Sequence, residues 1–521
     1  MIGRKTKLVL ILCCLGMAGA AGYFFLKGAP RAFPLDDAYI HLTYARSLSQ
    51  AAGFSFNPGE PSFGTTSPLW VLLLAALIPW LDPHLLVVAL SWLSLWISLC
   101  LAALITAQSL AAKFPETTKP GFDRWFFPLI SAGLLASFGN FLWIVFAGME
   151  SALWVALILA AIYFSVREKP SRAGYLFLAL AALCRIEAVL LLAIVLLWQL
   201  SSVKEKPKTI AGCATALALG LSFYSYAYFQ LGSFFPSTRA GKLASDLFNS
   251  GVSFKGGLVF LKRHLLYLRI TQPGTLAALA LTLLGFAGWS ASRRENRLGP
   301  AGITAIFALA VFCYHDQFFR STATITPFHN FRYQVMFFPS LALGLARIGG
   351  ELYAALKQRW ARILVALAML CLLALQGFRP WHELYLGQCR HIEDVHLKAA
   401  EWARASLPAS ARIACFDIGS LGFYSGRYVI DLGGLVDPGA HPYLRARRVG
   451  PYLEQMRASH YIELGTPGSD RLLGVSRDLG NLYELKPVGY FAGKRIREPV
   501  MLHSWEMKIF AVEWPAGVKP R

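Results

Sequence analysis

Long apolar runs recur along most of the chain, and they leave little choice of fold. They fall at about residues 8–26, 68–81, 85–107, 126–147, 151–166, 173–184, 187–200, 209–230, 274–290, 299–314, 333–348 and 361–377. A bilayer core takes roughly 20 apolar residues of helix to cross, because each spanning segment must satisfy its own backbone hydrogen bonds in lipid. Of the 521 residues only 15% are charged and 56% are hydrophobic. That is too few charges to solvate a soluble protein of this size, whose single cores stop growing at about 250–300 residues. The chain is therefore read as a polytopic membrane protein.

The basic residues decide which runs cross. Lys113/Lys119/Arg124, Arg167/Lys169/Arg172, Lys204/Lys206/Lys208, Arg293/Arg294/Arg297 and Lys357/Arg359/Arg362 cluster between apolar runs, as cytoplasmic loops do. They cannot share one side if all twelve runs cross. Pro68–Leu81 is short and is bounded by Pro68, Pro79 and Pro83. Laid on or dipping into the outer leaflet, it leaves eleven crossing helices that put every cluster in the cytoplasm, with the N-terminus inside. The first run, after Arg4, Lys5 and Lys7, reads as an anchor rather than a cleaved signal, being longer than most signal cores. The net charge of +21 then belongs largely to membrane topology, and no motif accompanies it that would point to nucleic acid.

The expected fold is an all-α membrane domain over residues 1–377, with about eleven transmembrane helices plus one juxtamembrane helical segment. A C-terminal α/β domain over 378–521 lies outside the cytoplasm. In that tail Arg412–Asp417 and Arg427–Asp431 read as short strands and Asp394–Ala405 as an amphipathic helix. Seven of the nine cysteines sit in apolar runs and act as small hydrophobes; the spacing of the other two, Cys389 and Cys415, does not demand a bridge. His315, Asp316 and His329 lack metal-ligand spacing. No cofactor is implied, and a divalent metal is not indicated.

This topology gathers the polar segments on the outer side: Pro34–Ser67, Gly148–Ser151, Arg185–Glu187, Leu231–Pro273, His315–Arg332 and the tail. In the first of them Asp36 and Asp37 follow a proline and open a helix, whose positive end favours ionised carboxylates. An ionised carboxylate at the membrane surface suits general-base work on a hydroxyl, and it equally suits plain helix capping. Lys255–Arg269 is basic and partly amphipathic, a pattern for a helix lying on the lipid surface.

Asp36-Asp37-Ala38-Tyr39, Tyr44-Ala45-Arg46, Gly53, Phe56-Asn57-Pro58-Gly59-Glu60 and Thr66-Ser67-Pro68-Leu69-Trp70 together resemble the first outer loop of GT-C glycosyltransferases. More narrowly, they are similar to the terminal arabinofuranosyltransferase branch. Gly148-Met149-Glu150-Ser151 matches a GxE[ST] turn, Arg185-Ile186-Glu187 an RPE-like turn, and Phe235-Pro236-Ser237-Thr238 with Lys242 a PNTxxxK-like loop. Phe331-Arg332-Tyr333 resembles an RY element. Asp417-Ile418-Gly419 and Asp431-Leu432-Gly433-Gly434-Leu435 fit in the tail. Ile186 stands where the pattern has proline and Ser237 where it has asparagine, departures that bear on the sugar more than on the reaction.

The resemblance implies an inverting transferase of the bacterial inner membrane. It would move a sugar, such as a pentofuranose, from a polyprenyl-phosphate donor to a cell-envelope glycan or lipid-linked acceptor outside the cytoplasm. Asp36 or Asp37 would be the base, with Asp36 favoured at the helix mouth. Lys242, Arg239 and Arg332 would neutralise the donor phosphate. Tyr39, Tyr44, Arg46, Asn57, Glu60, Glu150, Arg185 and Glu187 are the substrate-binding candidates. The same family includes members described as flagellar motor control proteins, so a non-catalytic envelope role stays open. A transporter fits less well, since its polar groups would lie near the midplane rather than in loops of one side.

Overall fold

The computed structural model describes residues 3–114, 123–166, 171–202, 205–244, 299–319, 332–446, 448–465, 484–494 and 506–514. The basic segment 255–269, the apolar run 274–290 and His329 lie outside the described residues, as do the side chains of His315 and Asp316. The chain is a multi-pass membrane protein. Helices over Arg4–Leu26 (α1) and Pro83–Ser109 are long and apolar enough to cross a bilayer, and so are the stretches Lys206–Leu231 and Arg359–Ser406. Shorter apolar helices occupy Ser151–Ser165, Arg172–Cys184, Ala188–Ser202 and Pro300–Tyr314. The bundle faces outward with Leu8, Leu12, Trp92, Leu197 and Leu364, side chains that lipid rather than water would solvate.

Pro68–Leu77 (α3) forms the short helix expected between the first loop and the second long helix, with Pro68 in its first turn, where a missing N–H costs nothing. The run at 126–147 is bent by 65° between two helices at Phe138. The cause lies in the tail: a Cβ on Gly139 would stand 2.8 Å from the Gly377 carbonyl and 2.9 Å from Trp381. Only a glycine lets the helix over Phe378–His391 press in there. Trp143 Nε1 then donates to Gln388 Oε1 at 2.7 Å, and Tyr385 donates to the Phe146 carbonyl at 3.1 Å.

The tail is built on a five-stranded sheet in the order β2-β1-β3-β5-β4, comprising β1 (Arg412–Cys415), β2 (Tyr428–Asp431), β3 (His460–Gly465), β4 (Glu484–Ala492) and β5 (Glu506–Glu513). Strand β1 pairs in parallel with β2 and β3, and the rest is antiparallel. The two expected strands are thus parallel neighbours, each with three successive buried residues, as strands covered on both faces require. The turns leaving the carboxyl ends of β1 and β2 reach the membrane domain, the edge where open α/β sheets place their sites. Cys389 and Cys415 are both buried and unbridged.

Candidate functional site

The second helix, Asp37–Ser49 (α2), and the residue before it send their carboxylates in two directions. Asp36 precedes it with helical dihedrals (φ −63°, ψ −33°), and its carboxylate makes no hydrogen bond to its own helix. Instead it is buried in the tail. It accepts from Gly419 N at 2.6 Å, from Ser420 N at 2.9 Å and from the Ser420 hydroxyl. His396 Nδ1 lies 3.5 Å from Asp36 Oδ1, and His396 Nε2 lies 4.0 Å from Asp417. Burial opposes the charge on both partners, but their mutual attraction wins: His396 is held above its ordinary range, while His396 and Ser420 hold Asp36 below its own. This corrects the expectation that the Asp36 carboxylate caps its own helix and faces an incoming hydroxyl.

Asp37 points the other way, into a cavity of about 100 Å³. The cavity draws on every group of outer segments expected to meet, with Asp37, His41, Thr65, Glu150, Arg185, Glu187, Arg332 and Leu435 among its walls. Gly148 enters the Glu150 turn at φ +80° and packs against Ala38 and Phe33, so a side chain there would be strained and would push on the start of α2. Glu150 itself sends its carboxylate sideways, Oε1 to Arg185 at 3.4 Å and Oε2 to His41 Nε2 at 3.5 Å. Arg185 also pairs with Glu187 at 2.7 Å and lies over the Trp154 ring at 5.0 Å. Ions this deep are costly unless paired, and each here has its counter-ion.

Arg332 donates to Asp37 Oδ2 at 3.2 Å and to the Tyr333 hydroxyl at 3.0 Å. Burial keeps His41 below its ordinary range, so the ring is neutral; its Nδ1 lies 2.8 Å from the Thr65 hydroxyl. Of the three carboxylates, Asp37 is the accessible one, with 33% of its side chain exposed against 3% for Glu150 and 10% for Glu187. Among the described residues, no three His, Cys, Asp or Glu side chains are grouped to hold a metal ion.

Asp37, Glu150, Arg185, Glu187 and Arg332 therefore come together, and other candidates do not join them. Tyr39 accepts from Phe33 N at 3.2 Å; the Tyr44 hydroxyl accepts from Gly64 N at 2.9 Å and meets Ser62 at 2.7 Å. Arg46 donates to the carbonyls of Gly422 and Phe423 in the tail. Asn57 pairs with the Val429 backbone through both its amide groups, and Glu60 accepts from the Tyr428 hydroxyl at 2.5 Å. All six clamp the first loop, four of them counting Asp36 directly onto the tail. Arg239 and Lys242 ride on the helix Ser237–Ala244, and their side chains lie outside the described residues. His41, Thr65 and Tyr333 were missed as site residues. Asp37 and His41 are four apart, one turn on the same helix face, and that spacing was the available signal.

A helical bundle with its polar loops gathered under an α/β tail is similar in fold to solved structures of ArnT. A crystal structure of ArnT from Cupriavidus metallidurans bound to undecaprenyl phosphate matches with a TM-score of 0.55 at 12% identity, covering 100% of both chains. The apo structure of the same protein matches at 0.54 and 11%, covering 97% of each. At such identity the likeness is one of fold. Residues 385–499 match a family described as a domain of unknown function, DUF8728. No curated protein matches the chain in sequence.

Proposed function

We propose that the protein is a membrane glycosyltransferase that moves a sugar from a polyprenyl-phosphate donor to a glycan acceptor outside the cytoplasm. The observation that carries this reading is the cavity itself, where an accessible carboxylate, Asp37, stands beside buried arginines just under the loops of a fold shared with an undecaprenyl-phosphate-binding structure. Asp37, rather than Asp36, is the base. It takes the proton from an acceptor hydroxyl as that oxygen bonds to the sugar's anomeric carbon. On the opposite face the bond to the phosphate oxygen breaks, and the lipid phosphate leaves with the electron pair, so the anomeric configuration inverts.

Arg332 neutralises the negative charge that grows on the leaving phosphate, and Lys242, one turn beyond the cavity-lining Thr238 on the same helix, assists it. Arg332 also holds Asp37 in its ionised form. Glu150 and Glu187 fix Arg185 at the cavity floor. The bacterial inner membrane, a cytoplasmic N-terminus and an external tail complete the reading, supported by the five basic clusters. A pentofuranose is the proposed sugar. The test is to incubate purified protein in lipid nanodiscs with a panel of polyprenyl-phosphate sugars and envelope glycans. Transfer from at least one donor is expected; folded protein that turns over none of them overturns the proposal.

A further inference from the structure

A second cleft, of about 470 Å³, lies beside the first and is within the size range of ligand sites. The two share Phe235 and Pro236, and a thin partition divides them. Phe63 faces the second cleft and Gly64 the first; Ser237 faces the second and Thr238 the first; Val436 faces the second and Leu435 the first. The partition is tied together by Ser237, which donates through its N–H to the Phe63 carbonyl at 2.7 Å and through its hydroxyl to the Leu435 carbonyl at 2.6 Å. An occupant of the second cleft would therefore approach Asp37 past Phe235 and Pro236, the residues both spaces share.

The chemistry of the two spaces differs. The first holds Arg185 and Arg332, whereas the second has Glu60 and Asp437 and, among its described lining residues, no lysine or arginine. Its other polar groups, Asn57, His441 and the hydroxyls of Ser62, Ser233 and Ser237, are bonded within the protein, so the two carboxylates set its character, and Phe235, 43% exposed, supplies a ring face beside the buried Phe56 and Phe63. His441 is held in the wall, its Nε2 engaged with the Gly434 carbonyl at 2.8 Å. Carboxylates bond sugar hydroxyls and ammonium groups and repel phosphate or carboxylate, while aromatic faces cover the apolar face of a sugar ring.

We propose that this cleft is the acceptor-sugar subsite and that it selects a glycan terminus carrying no negative charge, with an amino sugar preferred over a neutral one. The proposal rests on the transferase reading above and names the acceptor class for it. It is tested by binding alone, so a failure of turnover does not decide it. Methyl glucosaminide, methyl glucoside and methyl glucuronide, one ring in three charge states, are titrated onto the full-length protein in nanodiscs and followed by saturation-transfer NMR. The amino and neutral glycosides are expected to bind and the glucuronide not. Glu60→Gln should weaken the amino glycoside about tenfold, the worth of one charge-assisted hydrogen bond. Ala240→Phe, which fills the cleft from the helix side, should abolish both. Glucuronide binding as tight as that of the neutral sugar, no binding by any of the three, or unaltered binding in Ala240→Phe protein overturns the proposal.

Discussion

Replacing Asp36 by Asn should release the tail from the membrane domain rather than merely slow a reaction. In the wild-type protein Asp36 Oδ2 takes the Gly419 N–H, while Oδ1 takes the Ser420 N–H and hydroxyl and faces His396. An asparagine keeps one acceptor oxygen and turns an NH2 group toward a backbone N–H. His396, itself buried, loses the nearer of its two counter-charges, keeping only Asp417 at 4.0 Å. Hydrogen bonds to a charged group contribute about 1.5–3 kcal/mol each, and removing one member of a buried pair costs about 3–5 kcal/mol in all. If that loss falls on docking of the tail, the undocked population rises on the order of 10²- to 10⁴-fold, and so does proteolysis that tracks that population. Limited proteolysis in nanodiscs, timed on fragments cut between the membrane domain and the sheet, reads this directly. Digestion of Asp36→Asn at the wild-type rate would refute the anchoring role.

Gly419→Ala should undock the tail more severely than Asp36→Asn in the same assay, because its Cβ would stand 2.0 Å from the Asp36 carbonyl, which cannot swing aside. Docking should also depend on pH in a definite direction. Burial pushes His396 down, but Asp36 outweighs it and raises its pKa, so its contribution is complete below pH 6.5 and is lost as pH rises through the folded-state value. Asp36, held below 3.8, contributes above that pH and is lost only in stronger acid. Protease resistance should therefore plateau in mild acid and fall on the alkaline side, and His396→Gln should flatten that alkaline limb. Arg332→Gln should lower kcat roughly 10²- to 10³-fold, as removal of a transition-state donor does, measured with whichever donor the wild-type protein accepts.

Much of the site was legible in the sequence because it lies in loops whose signals are local. Alternating apolar runs and basic clusters put the first loop, Glu150, Arg185–Glu187 and Arg332 on one side, and these residues do line one cavity. What the sequence could not reveal is long-range pairing. The partners of Asp36 are 383 and 384 residues away, and those of Arg46, Asn57 and Glu60 lie between 368 and 377 away. In a single sequence such polar side chains look alike whether they hold a substrate or a neighbouring carbonyl. The helix-mouth argument for Asp36 failed for a local reason: with helical dihedrals of its own, Asp36 swings its carboxylate away from the N–H groups it was expected to cap. The bend at Phe138 was hidden likewise, since Gly139 gains its meaning only from Gly377 and Trp381.

The central claim is that Asp37 removes the acceptor proton, and single-turnover transfer by Asp37→Asn protein tests it most directly. The change is nearly isosteric, and the carboxylate that bonds the Gly419–Ser420 turn is that of Asp36. Donor binding and protease resistance should therefore stay near wild type, while the transfer rate falls roughly 10²- to 10⁴-fold with loss of the base. Transfer at the wild-type rate by Asp37→Asn protein, with a correctly docked tail and an authentic donor, would contradict the account.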